Sequence, residues 1–120
     1  MVTKINLTEK LGRFADQWSP KIVTELNDNH VLLAKVKGEF VWHQHVSEDE
    51  LFIVLKGRLT IELHDGSVTL GPGEMVVIPK GVEHRPVARE EVHLMLVEPK
   101  VTKHTGNVET ERTVHEYARI

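Results

Sequence analysis

The chain has 120 residues and a net charge of −3 with histidine neutral, with 40% hydrophobic and 28% charged residues. That composition suits one globular domain with a single real core, and a negative chain without a basic block is not built for nucleic acid or anionic membranes. It contains no Cys, which excludes disulfides, thiolate metal sites and cysteine nucleophiles.

Eight His in so short a chain is high, and His is what remains for metal chemistry. The N-terminus MVTKINLTEK has no apolar signal region and no apolar run reaches membrane length, so the expected compartment is the cytoplasm.

The first predicted element is a short amphipathic helix. Leu7, Leu11, Phe14, Ala15 and Trp18 recur at helical spacing, with Thr8 as N-cap and Ser19-Pro20 as the stop. From Lys21 the pattern becomes short strands with turn punctuation. Ile22–Leu26 and Val31–Val36 flank Asn27-Asp28-Asn29, and Lys37-Gly38-Glu39 makes the next turn. Phe40–Val46, Glu50–Leu55, Arg58–Leu63, Val68–Leu70 and Met75–Ile78 follow, then His84–Val87 and Val92–Glu98 as two separate strands. Asp65-Gly66 is the strongest hairpin signal. Gly38, Gly57, Gly73 and Gly81 mark turns that need positive φ. Many short strands at regular spacing predict a sandwich or closed barrel. Thr113–Tyr117 fits either an edge strand or a cover for the barrel's open end.

His43 and His45 carry the chemistry. Side chains alternate along a strand, so imidazoles at i and i+2 share a face and can share one metal ion. Glu50 opens the next strand and His84 comes from a distant one. Taken singly, each has a plainer reading: a solvated His-x-His face, an acidic loop, a turn histidine. Together they offer three nitrogens and one oxygen, which leaves open positions on an octahedral metal.

The two stretches Gly38–Gly57 and Gly73–Ala88 resemble the two sequence motifs of the cupin superfamily. The first is Gly38, His43, His45, Glu50 and Gly57. The second is Gly73, Pro79, Gly81 and His84. The resemblance implies metal ligands at His43, His45, Glu50 and His84. It also implies an all-β fold over residues 1–120: a single antiparallel cupin barrel or jelly roll with a short N-terminal helix. Two departures are visible. Four residues, not five, separate Gly38 from His43, and Ala88 stands where an Asn often closes the second motif.

Strand parity extends the site. If His43 and His45 face inward, Val41 does too, and Glu50 takes Phe52 and Val54 with it. Val92–Val97 presents His93, Met95 and Val97 on one side, which makes His93 and Met95 pocket candidates, although His93 also reads as a core-edge histidine. His30, His64, His104 and His115 are expected at the surface, and Arg85 points away from the metal. Leu51, Ile53 and Leu55 then face outward, too apolar for bare solvent. A helix, a second sheet or a second subunit must cover them, and a homodimer is expected.

The expected cofactor is one divalent ion, Fe, Mn, Zn or Ni. The expected function is a metal-dependent enzyme of dioxygenase or isomerase type acting on a small molecule, similar to short cupins described as mannose-6-phosphate isomerase-like. The alternative is a non-catalytic binding or sensing module with a structural metal. No catalytic side chain stands out beyond the ligands.

Overall fold

The structure, a computed structural model, describes residues 2–120, so the first residue of the predicted 1–120 span lies outside it. One short helix, α1 (Leu7–Leu11), precedes eight strands: β1 (Lys21–Leu26), β2 (Asn29–Glu39), β3 (Glu50–Lys56), β4 (Leu59–Leu63), β5 (Gly66–Leu70), β6 (Met75–Ile78), β7 (His84–Pro99) and β8 (Ala118–Arg119). All pairings are antiparallel except the short β1–β8 contact. The architecture is the expected all-β jelly roll, although its strand pairing does not close into a complete ring.

β7 organises it. One edge of β7 pairs with β2 along most of its length. Its other edge pairs with β4 near His84 and with β3 beyond His93. Register shifts at Val36/Gly38 and Val54/Lys56 bend the ladder where β7 passes from one neighbour to the other. Bulges of this kind let one strand serve two sheets. The inner faces bury Leu32, Phe52, Val54, Leu59, Ile61, Val92 and Leu94. At the β3–β4 turn Gly57 has φ +88, and a Cβ there would lie 3.0 Å from the Glu91 carbonyl oxygen. Glycine is required at that position both by conformation and by space. The other three glycines expected to adopt positive φ do so as well.

Three expectations need correction. The helix stops at Gly12 and is capped by Asn6, whose side chain accepts from the Glu9 N–H, not by Thr8. Gly12 is a poor helix former, and tertiary contacts claim the rest of the predicted stripe. Trp18 has φ 58 and stacks on Phe40 with ring centroids 4.5 Å apart, while its indole N–H donates to the Lys37 carbonyl. The predicted turn at 37–39 is the bulged end of β2. The two strands expected at 84–87 and 92–98 are one continuous 16-residue strand.

Thr113–Tyr117 forms no strand, and the roles considered for it fall on neighbouring residues. Residues 118–119 add an edge strand beside β1. Residues 102–105 fold back against the barrel, burying Thr102, His104 and Thr105. Among the described residues no helix is long and apolar enough to cross a membrane.

Candidate metal centre

His43 and His84 meet as an isolated antiparallel bridge. Each backbone N–H donates to the other's carbonyl, at 3.0 and 2.9 Å. The Gly81 N–H donates to the His45 carbonyl at 2.8 Å, so the Pro79-Lys80-Gly81 turn clamps the His-x-His segment. Glu50 enters from the first position of β3. The four side chains are buried, and their donor atoms all lie within 4.8 Å of one another. An ion held at roughly 2.0–2.2 Å by each donor spans at most about 4.4 Å, so the cluster needs only a small contraction to close around one.

The hydrogen bonds select the tautomers. Nδ1 of His43 lies 2.9 Å from the Val41 carbonyl, and Nδ1 of His84 lies 2.9 Å from the Val82 carbonyl. A carbonyl oxygen only accepts, so both Nδ1 atoms carry hydrogen and both Nε2 atoms keep a lone pair. Nε2 of His84, both nitrogens of His45 and Oε1 of Glu50 are buried without a hydrogen-bond partner. Buried polar atoms are normally satisfied. Orphaned donors on one point are what a cation shell looks like without its cation, and the residues fit a divalent ion.

The charges around the centre agree. Burial, then the charge of neighbouring His84, pushes His43 down to about 4, so it is neutral near pH 7. Burial also opposes charge on His45, but the Glu50 carboxylate, whose Oε1 is 3.2 Å from Nε2, outweighs it and raises His45. Glu50 is held well below the carboxylate range. Burial opposes this, and the nearby Glu98, His45 and His84 overcome it. Glu98 goes the other way: burial, then the charge of Glu50, raises it well above the usual value. Glu50 is therefore the ionised member of that pair.

Beside the His/Glu cluster lies a cavity of about 40 Å³. A water molecule needs roughly 10–15 Å³ by this measure, so the space holds a few waters. Its walls include Trp18, Phe40, Phe52, Leu94, Leu96 and His104, together with His43 and Glu50, and no Lys or Arg.

Several pocket expectations are overturned. His93 and Met95 lie on the outer face of β7, whose inward positions are Val92, Leu94, Leu96 and Glu98. His93 contacts Glu91 and lines an outer cleft with Leu7 and Leu11. Val54 is inside but belongs to the core away from the cavity, and of the predicted apolar lining only Phe52 reaches it. Val41 contributes its carbonyl to His43, while Phe40 fills the wall. The segment before His43 is not a ladder strand, so alternation does not carry back to residue 41. Arg85 does point away and pairs with Glu62 and Glu39.

His104, expected at the surface, is buried. Its Nε2 accepts the Val114 N–H, its backbone N–H donates to the Tyr117 hydroxyl, and its ring lies 5.5 Å from Phe40. Burial lowers its pKa. Nothing in the tail's polar sequence signalled this. The nearest available cue was aromatic Tyr117, which needs a buried contact.

The tail is pinned beside the site. Asn107 bonds Gln44 through both backbone and side chain. Gly106 has φ +58, and a Cβ there would fall 2.2 Å from the Gln44 carbonyl oxygen and 3.0 Å from the His43 ring. Gly106→Ala is expected to undock the tail at a local cost of about 1–3 kcal/mol. Hydrogen exchange at the amides of Gln44 and Asn107 should rise at least tenfold. Unchanged protection would show that the backbone shifts to accept the methyl group.

Residues 30–100 match the family model described as "Cupin domain". The chain belongs to the cupin family. A cupin-2 domain containing protein from Shewanella frigidimarina is 51% identical, with a TM-score of 0.79 over 80% of this cupin and 94% of that chain. Protein NMB1881 from Neisseria meningitidis is 32% identical, with a TM-score of 0.74 over 82% of this cupin and all of that chain. Uncharacterized protein YdbB from Bacillus subtilis is 45% identical over 64 residues, 52% of this cupin. The match spans 57% of that relative's own length.

Proposed function

We propose that this cupin binds one divalent ion through His43, His45, Glu50 and His84 and uses it as an oxygen-dependent enzyme on a small, largely apolar molecule. The buried cluster of orphaned donors carries the reading. A divalent ion there supplies Lewis acidity and open positions for a chelating substrate and dioxygen.

The chain's own residues narrow the class. An acid–base isomerisation needs a side chain free to move a proton at the substrate. The titratable residues lining the cavity are His43, Glu50 and His104. The first two are ligands, and Nε2 of His104 is engaged by Val114. A sugar phosphate would call for a basic side chain, and the lining has no Lys or Arg. Trp18, Phe40 and Phe52 instead offer aromatic and apolar surface, which excludes water and orients a flat ligand. His43 and His84, locked by their Nδ1 bonds, keep the ligand geometry fixed while substrate enters.

A second reading keeps one observation on its side. The cavity is small, and the tail packs against the site, as suits a binding cupin with a structural metal.

One experiment separates the two. Protein purified without added metal is assayed for metal content, loaded with Fe(II), and given small phenolic chelators such as catechol under air. Oxygen consumption with a ring- or bond-cleaved product supports the enzyme. Stoichiometric metal with no oxygen uptake, and no spectral change on adding any chelating phenol, rejects it in favour of the structural reading.

A further inference from the structure

His104 is the one titratable side chain of the cavity wall that metal binding leaves without a task. It comes from the tail, outside both sequence motifs, and is buried at 8% exposure. Two contacts within the tail fix it. Its backbone N–H donates to the Tyr117 hydroxyl at 2.8 Å, and ring atom Nε2 lies 2.9 Å from the backbone nitrogen of Val114. Gly106 and Asn107 follow closely and are packed and bonded against Gln44, so the ring is anchored beside the His-x-His segment.

The Val114 contact selects the tautomer. A backbone N–H only donates, so Nε2 is the accepting nitrogen and its lone pair is used. The ring then carries its hydrogen on Nδ1. The Arg112 carbonyl lies near the ring without reaching hydrogen-bond geometry. Among the described residues no acceptor takes the Nδ1–H, and Nδ1 is not sealed away as the orphaned nitrogens of His45 and His84 are. The ring lines the cavity, so this hydrogen is left to donate there. Every other side-chain N–H on the wall is spent: that of Trp18 goes to the Lys37 carbonyl, and that of His43 to the Val41 carbonyl. Nor is His104 a base toward the cavity, because Nδ1 has no lone pair to offer.

We infer that His104 is a specificity-determining residue of this centre: its Nδ1–H donates to an oxygen of the bound ligand. This rests on the function proposed above and deepens it. One fixed donor among apolar and aromatic walls orients a flat ligand and selects one that carries an acceptor oxygen. An analogue without that oxygen leaves a buried donor unpaired, which is costly.

The test uses Zn(II)-loaded protein under nitrogen, where catechol binds without being oxidised, and reads its affinity by calorimetry. Hydrogen exchange at the Val114 amide follows the tail separately. His104→Gln places an acceptor oxygen near the Nε2 position and gives up the hydrogen at Nδ1. It should keep Val114 protected and weaken catechol binding by roughly 10–100-fold. His104→Asn does the reverse, with an amide donor near Nδ1 and no acceptor for Val114. It should bind catechol within about threefold of wild type while Val114 exchange rises. If Gln matches wild type toward catechol, the Nδ1–H does not touch the ligand. If catechol affinity follows Val114 protection in both variants, His104 only holds the tail. Should either variant fail to fold, nitrogen NMR of histidine-labelled wild type decides. The hydrogen of His104 is expected on Nδ1, and the Nδ1 resonance should shift when catechol binds. A hydrogen on Nε2, or an Nδ1 signal unmoved by saturating catechol, overturns the role. Wild type that takes up no Zn(II), or binds no catechol once loaded, rejects the proposed function and this role together, whereas catechol binding with an indifferent Gln variant rejects only the role of His104.

Discussion

Stripping the metal at about pH 8 is expected to lower the melting temperature by roughly 10 °C. A ligand bound only by the native state adds RT ln(1 + [L]/Kd), about 2.7 kcal/mol at a hundredfold excess over Kd. Without the ion, six buried nitrogen and oxygen atoms among the described residues have no hydrogen-bond partner, four of them on the proposed ligands His45, Glu50 and His84, the others being Oε2 of Glu98 and the Thr102 hydroxyl. His43→Ala/His45→Ala should carry no tightly bound metal and should melt at the same temperature with and without chelator. A full equivalent of metal on that double variant would place the site elsewhere.

The pH dependence has a definite sign. Ligation needs neutral imidazole, so protons compete with the ion. His45 is raised and accepts its proton first as pH falls, while His43, pushed down to about 4, accepts late. The metal's contribution is therefore complete above the raised His45 value. It declines as pH falls through that value and is gone near pH 4. Chelator should shift the melting temperature at about pH 8 and have no effect by about pH 4. An equal shift at both would mean that the imidazoles do not hold the ion.

The ligand set was legible because it needs only local rules. Two His at i and i+2 share a face wherever the chain is extended, and His43 and His45 do so although their segment forms a single bridge, not a ladder. Turn glycines and strand positions were legible for the same reason. Phe40 and His104 were not, because loops place them, and loops obey tertiary packing over alternation. Glu98 was within reach. Counting by twos from His84 leads through buried Pro86 and Ala88, exposed Glu90, then buried Val92, Leu94 and Leu96 to buried Glu98. Reading β7 as two strands breaks that parity and turns His93 and Met95 inward, whereas the continuous strand puts them outside. At the join, Arg89-Glu90-Glu91 looks like a loop in sequence but is exposed or half-exposed strand.

Ile53→Lys is expected to convert a homodimer into a folded monomer, and this proposal rests on the outer sheet face. Register sets Leu51 beside Val77 and Ile53 beside Met75 on one edge of β3, and Leu51 beside Val97 and Ile53 beside Met95 on the other. Val97 in turn adjoins Val31 of β2. The result is one apolar patch across four strands, with Met75 at 60% and Val77 at 53% exposure. A patch continuous over four strands is unusual on a monomer and marks an interaction surface. The helix cannot cover it: α1 buries none of its residues, and Leu7 and Leu11 reach only the end near Leu55 and His93. A second copy can, because a two-fold axis through the patch brings the same apolar residues from both sides. Symmetry then introduces every substitution twice. Two unpaired ammonium groups buried in such an interface should weaken dimerisation by at least roughly a thousandfold. Ile53 is only half-buried within the chain, so the variant should keep its strand-rich circular dichroism and its metal. Light scattering at micromolar concentration reads the outcome. Monomeric wild type, or an Ile53→Lys variant that remains dimeric, would show that this face is not the interface.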